Sequence, residues 1–339
     1  MMPLFINDLS AFVLSLEERE KKLFSGALHW TILANGDADF HDNVIFFGFQ
    51  EKQNEPILVA KVPRLTENGW MLKTEYDHLL ELWDFIGEAA GQFVPKPYAL
   101  TTIQERPVLM LSYVDGESLA RLSPRSFWRN SEQVLALANE AARTMRHLNR
   151  LTETPIKRGE SVEHHFSEKA DKFRDLFQIT RAEDQVLSDL LRVVETAVAV
   201  ARHKVLIQGD FWHGNMTQDE KRKKLMFVDW QFARWSADVS LDFYFFLLAG
   251  ALSATEGPVE QRAKEAFRLL NGWRTDIIPE YLRMYGKPEY YVLLPQKYGM
   301  LLCCIEKATR SALEFGYSHP DDFLWRHLFA ELLNWPDEN

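Results

Sequence analysis

The chain has 339 residues, of which 46% are hydrophobic and 26% charged, enough to fill the core of one large domain or two ordinary ones. A formal net charge of -10 argues against a nucleic-acid partner, which would call for a basic stripe, and hints only faintly at a cationic ligand. The only cysteines, Cys303 and Cys304, are neighbours and close a disulfide badly, so a reducing compartment is expected.

Taken in chain order, MMPLFINDLSAFVLSLEERE has apolar residues but no basic run before them, which does not fit a secretory signal and leaves a cytoplasmic location expected. NVIFFGF (43–49) and ILVAKVP (57–63) are β-branched and aromatic runs separated by the polar EKQNEP, the pattern of an antiparallel hairpin. From Trp70 to about Gly87, Met71, Leu72, Leu79, Leu80, Leu82, Trp83 and Ile86 recur at helical spacing. FVPKPYAL (93–100) and PVLMLSYV (107–114) read as two more strands, the second closed by a turn at Asp115-Gly116.

Long amphipathic stretches then take over, at 131–151, about 167–202, 239–253, 259–271 and 291–315, and each predicts a helix. FYFFLLAGALSA (243–254), the longest nearly uncharged run, is too short to span a bilayer and predicts a buried helix, so no membrane partner is expected. Two short strands are set into this helical half, VLIQGD (205–210) and LMFVDW (225–230), joined across the charged QDEKRKK as an exposed turn. The order of elements predicts an α+β fold with a sheet-rich part at 1–112 and a mainly helical part at 113–339.

Each of those two strands ends in an Asp. Asp210, Asn215 and Asp229 form a set of oxygen ligands suited to a hard cation such as Mg²⁺. A loop Asp, an Asn five residues on and a metal-binding Asp on a later strand is also the order found in kinases. The same chemistry needs a strand Lys on the phosphates and a helix Glu on that Lys. LVAK (58–61) ends in Lys61, and Glu75 follows fourteen residues later on the predicted helix, with Glu67 and Glu81 as alternative partners. A Lys in an apolar strand is costly unless its ammonium is paired, so the pairing has a physical motive as well.

With GDFWHGN (209–215), FVDWQ (227–231) and SLDFYFFL (240–247), the chain resembles the aminoglycoside phosphotransferase and choline kinase family, small-molecule kinases with a two-lobed, protein-kinase-like fold. The resemblance runs from about residue 43 to the helix after 239. It implies that 1–112 is a nucleotide-binding lobe with one helix, and that 113–339 carries the catalytic loop and acceptor site. It implies that the γ-phosphate of ATP, or of GTP, passes to a hydroxyl of a sugar, amino alcohol or antibiotic with Mg²⁺. Asp210 would orient or deprotonate that hydroxyl, Asn215 and Asp229 would hold Mg²⁺, and Lys61 with Glu75 would hold the phosphates. Asp242 would brace the loop, and backbone groups of Ser112, Tyr113 and Val114 would face adenine.

Two positions depart from the family pattern. Gln208 stands where its loop usually begins with His, and a Gln can still support the loop by donating to its carbonyls. The stretch LANGDADFHDN (33–43) offers a single Gly, Gly36, to a phosphate-covering loop. These departures give the alternative of a catalytically silent nucleotide-binding scaffold. The short segment between Asp229 and the helix at about 239 disfavours a protein kinase, having no room for a long activation loop. His164 and His165 lack further ligands at metal spacing and read as solvated, His213 as loop support, and Lys221 to Lys224 as a solvated turn. Oligomeric state is not encoded in any of these patterns.

Overall fold

The computed structural model describes residues 2–20, 28–33, 43–51, 53–157, 166–219, 224–315 and 320–336. They form two compact units, one of Met1–Gly116 with Met226–Phe232 and one of Glu117–Leu225 with Ala233–Asn339.

The first unit opens with α1 (Met2–Glu20), which follows from Phe5, Leu9, Val13 and Leu16 recurring every three or four residues as one buried stripe. Strands β1 (Leu28–Leu33), β2 (Asn43–Gln50) and β3 (Pro56–Pro63) are followed by α2 (Gly69–Ile86), then β4 (Pro97–Ile103) and β5 (Arg106–Ser112). They make an antiparallel sheet in the order β1-β2-β3-β5-β4. The expected hairpin is β2 with β3, with Phe46 opposite Ala60. Strand β4 starts at Pro97 and not at Phe93, because the amides of Phe93 and Val94 both donate to Ala90 O and close a turn.

Period-two alternation sorts the residues of this sheet by face. Leu58, Ala60, Val62, Val108 and Met110 pack with α1 in one buried cluster. Lys61, Leu109 and Leu111 therefore point to the other face, and α2 packs on β3, β4 and β5.

The second unit begins with β6 (Glu117–Ser118), α3 (Leu119–Leu122), α4 (Ser131–Thr152) and β7 (Thr154–Pro155). The stretch expected as one helix at about 167–202 is two, α5 (Phe166–Leu176) and α6 (Arg181–Ala199). Thr180 is the reason for the break: its side chain accepts from Glu183 N while Glu183 accepts from Thr180 N, a capping box that starts a new helix.

Strands β8 (His203–Ile207), β9 (Met216–Asp219), β10 (Lys224–Phe227) and β11 (Arg234–Ser236) follow. Here the strand reading needs correction. β8 lies in a sheet ordered β11-β8-β7 and β10 in one ordered β10-β9-β6, so the charged segment falls between β9 and β10, and Asp210 and Asp229 do not end neighbouring strands. Both lie in loops just past their strands.

The helices α7 (Ser240–Ser253), α8 (Val259–Trp273), α9 (Ile277–Tyr285), α10 (Gln296–Phe315) and α11 (Pro320–Leu332) complete the chain. Residues Ser240 to Leu252 of α7 are all buried, with α8 and α10 packed against it, as its uniformly apolar sequence predicts. The expected helix at 291–315 starts only at Gln296, because Val292 instead pairs with the backbone of Ala237 and Val239. No helix among the described residues is long and apolar enough to cross a membrane, and Cys303 and Cys304 are buried free thiols.

Candidate active site

Lys61 projects from β3 on the α2 side of the sheet, where its ammonium would be costly without carboxylates to meet it. It donates to both oxygens of Glu75, at 2.8 and 3.0 Å, and forms an ion pair with Asp229. Lys61 and Glu75 are buried, whereas the side chain of Asp229 stays 42% exposed. Burial opposes the charge on Lys61, but Asp229 and Glu75 outweigh it and hold the ammonium above its ordinary range. Glu75 is pushed up by burial and pulled down by Lys61.

The Asp229 segment is fastened to this unit by its neighbours. Phe227 N donates to Phe93 O at 2.6 Å, Trp230 Nε1 donates to Phe227 O at 3.1 Å, and a ring nitrogen of His78 meets Trp230 O at 2.9 Å. Asp229 itself has φ 58°, a left-handed backbone that Asp tolerates better than most residues and that often marks a functional site.

In the second unit, the loop from Gln208 to Asn215 is shaped by α7. Buried Asp242 accepts from Gln208 N at 2.6 Å and Gly209 N at 2.7 Å. Gly209 has φ 76°, which explains the Gly. Gln208 supports the loop by accepting from Asp210 N at 2.8 Å through its Oε1. Asn215 Nδ2 donates to Asp210 Oδ2 at 2.7 Å and to Asp210 O at 3.1 Å, so the two predicted residues meet. A Cβ at Gly214 would collide with the Trp212 ring, which explains the second Gly. Burial pushes Asp242 up to about 6 against its amide bonds and Arg234 and Arg310. Buried His213 contacts the rings of Trp128 and Trp212 and reaches Ser253 Oγ at 3.3 Å, consistent with loop support.

Sequence reasoning missed the cations on α10. Lys307 forms an ion pair with Asp210, Arg310 Nη1 lies 3.7 Å from the same carboxylate oxygen, and Arg310 Nη2 donates to Gly209 O at 2.9 Å. Their neighbour Glu306 pairs with Lys169 of α5 and lies 3.7 Å from Arg234 of β11. Burial alone would raise Glu306, but Arg234, Lys169 and Arg310 hold it down to about 2, while burial takes Lys169 down to about 8. The available signal was the charges Glu306, Lys307 and Arg310 directly after the apolar run MLLCCI (300–305).

At the end of β5, Ser112 N donates to Lys96 O at 2.8 Å and Tyr113 N to Ile57 O at 3.0 Å, so these two amides are engaged in the sheet; Val114 is half-buried. Gly36, His164, His165 and Lys221 to Lys223 lie outside the described residues. The described site residues thus form two groups: Lys61, Glu75 and Asp229 in one unit, and Asp210, Asn215 and Asp242 in the other.

Comparison with solved structures places this fold among small-molecule kinases. A protein of Ralstonia eutropha JMP134 assigned as an aminoglycoside phosphotransferase matches at TM-score 0.60 and 12% identity, covering 96% of this chain and 95% of its own. A protein of Haemophilus somnus 129PT assigned as a fructosamine-3-kinase matches at TM-score 0.53 and 14% identity, covering 97% of each chain. Amicoumacin kinase hAmiN, solved with AMP-PNP, Ca²⁺ and Ami, matches at TM-score 0.51 and 13% identity, covering 95% of this chain and 94% of its own. These likenesses establish a protein-kinase-like fold with a small antiparallel-sheet lobe and a helical lobe. Comparison with curated proteins finds no match. Residues 73–284 match the model of the phosphotransferase enzyme family (APH), more than half of the chain, and the protein belongs to that family.

Proposed function

We propose that this phosphotransferase moves the γ-phosphate of ATP to a hydroxyl group of a small molecule, with Mg²⁺ as the metal. The observation that carries the reading is buried Lys61 joined to both Glu75 and the half-open carboxylate of Asp229. In phosphoryl transfer the protein does little covalent work: it positions the reactants and neutralises charge on the phosphates. Lys61, fixed by Glu75, would supply the cation on the phosphates. Remaining backbone groups of the Ser112–Val114 segment, in the absence of the two engaged amides, would meet the adenine edge.

The donor set suits Mg²⁺. Asp229 and Asn215 offer only oxygen ligands, and no group of three acidic, His or Cys side chains able to hold a metal occurs among the described residues. Mg²⁺ commonly binds through one or two carboxylates together with phosphates and waters, and needs no complete protein cage. When bound, the metal would neutralise charge on the transferring and leaving oxygens. Asp210 would accept the acceptor's proton or orient its hydroxyl, and Asn215 would hold the Asp210 carboxylate in place through its amide.

The test is ADP formation with Mg²⁺ and ATP over a panel of sugars, amino alcohols and antibiotics, beside thermal stability with each component. Stabilisation that needs ATP and Mg²⁺ together is expected, with turnover on at least one acceptor. The Asp210→Ala variant should lower turnover by about 10²- to 10⁴-fold while keeping the nucleotide-dependent stabilisation. Unchanged turnover would refute the role of Asp210, and absence of stabilisation would refute the nucleotide site.

A further inference from the structure

The charged groups beside Asp210 are layered by depth. Glu306 and Lys307 have side-chain exposures of 7% each, Arg310 12% and Asp210 21%, whereas Lys169 reaches 27% and Arg234 36%. The carboxylates behind this rim are already engaged within the protein. Asp242 accepts from the loop amides, and Asp238 accepts from Ser240 N at 2.9 Å and from Ser240 Oγ. The outermost members of the network are therefore cations, supplied by α5 and β11, with the acid that balances them lying beneath.

We infer that the acceptor of this enzyme carries an oxyanion, a carboxylate or a phosphate, that seats on Lys169 and Arg234 beside Asp210. The inference rests on the phosphotransferase reading above, because Asp210 marks where the acceptor hydroxyl stands. A polyamine acceptor would bring ammonium groups against an ammonium and a guanidinium, which like-charge repulsion disfavours. An oxyanion instead meets a guanidinium fork of matching geometry and a point charge beside it. The protein's overall negative charge does not oppose this, since exposed charges farther away than about 8–10 Å are largely screened at physiological salt, whereas groups in contact are not.

The test uses the full chain and probes sharing one carbon skeleton but differing in end charge: D-gluconate, D-glucitol and D-glucamine, titrated by calorimetry. Glucose 6-phosphate against glucose forms a second arm that separates phosphate from carboxylate. Gluconate or glucose 6-phosphate should bind at least about tenfold tighter than its neutral or cationic counterpart, the size of one charge-assisted contact. That preference should shrink with added salt and disappear in the Lys169→Gln, Arg234→Gln double variant. The conservative pair Lys169→Arg, Arg234→Lys should retain it, which controls for misfolding around Glu306. Equal response to all probes, or preference for glucamine, overturns the inference. Thermal stabilisation by Mg²⁺ and ATP without acceptor is measured on the same protein. Its loss would refute the phosphotransferase reading, while the probe series reports on the oxyanion site separately.

Discussion

At the scale of single residues, Lys61 shows why a buried ion pair is sensitive to losing one partner. Its ammonium answers Glu75, which is 1% exposed and has no solvent to fall back on. Truncating one member of such a pair costs about 3–5 kcal/mol, because the other charge stays buried and uncompensated. Lys61→Met should therefore lower stability by about that amount, read from denaturant midpoints. Adding Glu75→Gln should restore much of the loss, since it removes the stranded charge. A double variant no more stable than the single one would show that Glu75 is not what makes the loss expensive. Asp229, the third member, is more exposed and left-handed in backbone.

At the scale of elements, α6 and α7 hold for different reasons. α6 depends on its first turn, where Thr180 and Glu183 satisfy each other's amides, so Thr180→Ala should cost about 0.5–2 kcal/mol. α7 depends on burial on every side. Phe243 stacks on Tyr281 at 4.2 Å between ring centroids, and Phe243→Ala should cost about 3–5 kcal/mol through lost contacts and a cavity. Thermal or chemical unfolding of the two variants checks the ranking, and a cap loss equal to the core loss would contradict it. Because α7 also carries Asp242, whose carboxylate holds Gln208 and Gly209, a slackened α7 should disturb the Asp210 loop as well.

At the scale of the whole molecule, burial of carboxylates couples stability to pH. Asp238 is pushed up to about 6 by burial, against bonds from Ser240 and the charge of Arg234. A carboxyl with a folded pKa above its unfolded value of 3.8 binds its proton more tightly when folded. Its stabilising contribution is full below that unfolded value and is lost as pH rises through about 6. Asp238→Asn keeps the oxygen that Ser240 donates to and removes the titration. Relative to wild type, the variant should gain stability between about pH 4 and 6 and hold a constant difference above that. The comparison must be a difference, since buried His213, pushed down to about 4, shifts wild-type stability in the opposite sense over the same range. A variant parallel to wild type across this range would show that Asp238 does not titrate there.

The sequence by itself determined the α+β architecture, the β2–β3 hairpin, α2 and buried α7, because alternation, helical periodicity and uniform apolarity are local properties of the chain. It also singled out Lys61, Glu75 and Asp229, which meet in one unit, and Asp210 and Asn215, which meet in the other. Local pattern overran the break at Thr180, where a continuous amphipathic stripe hid a cap, and it paired the wrong strands around the charged turn. Only the tertiary structure decided that Glu75, and not Glu67 or Glu81, receives Lys61, that Gln208 Oε1 accepts from Asp210 N, and that Lys307 and Arg310 reach Asp210 from about a hundred residues away. The reason is that partner choice for a buried charge depends on which groups the packed elements bring within reach, a long-range condition that no short stretch of sequence expresses.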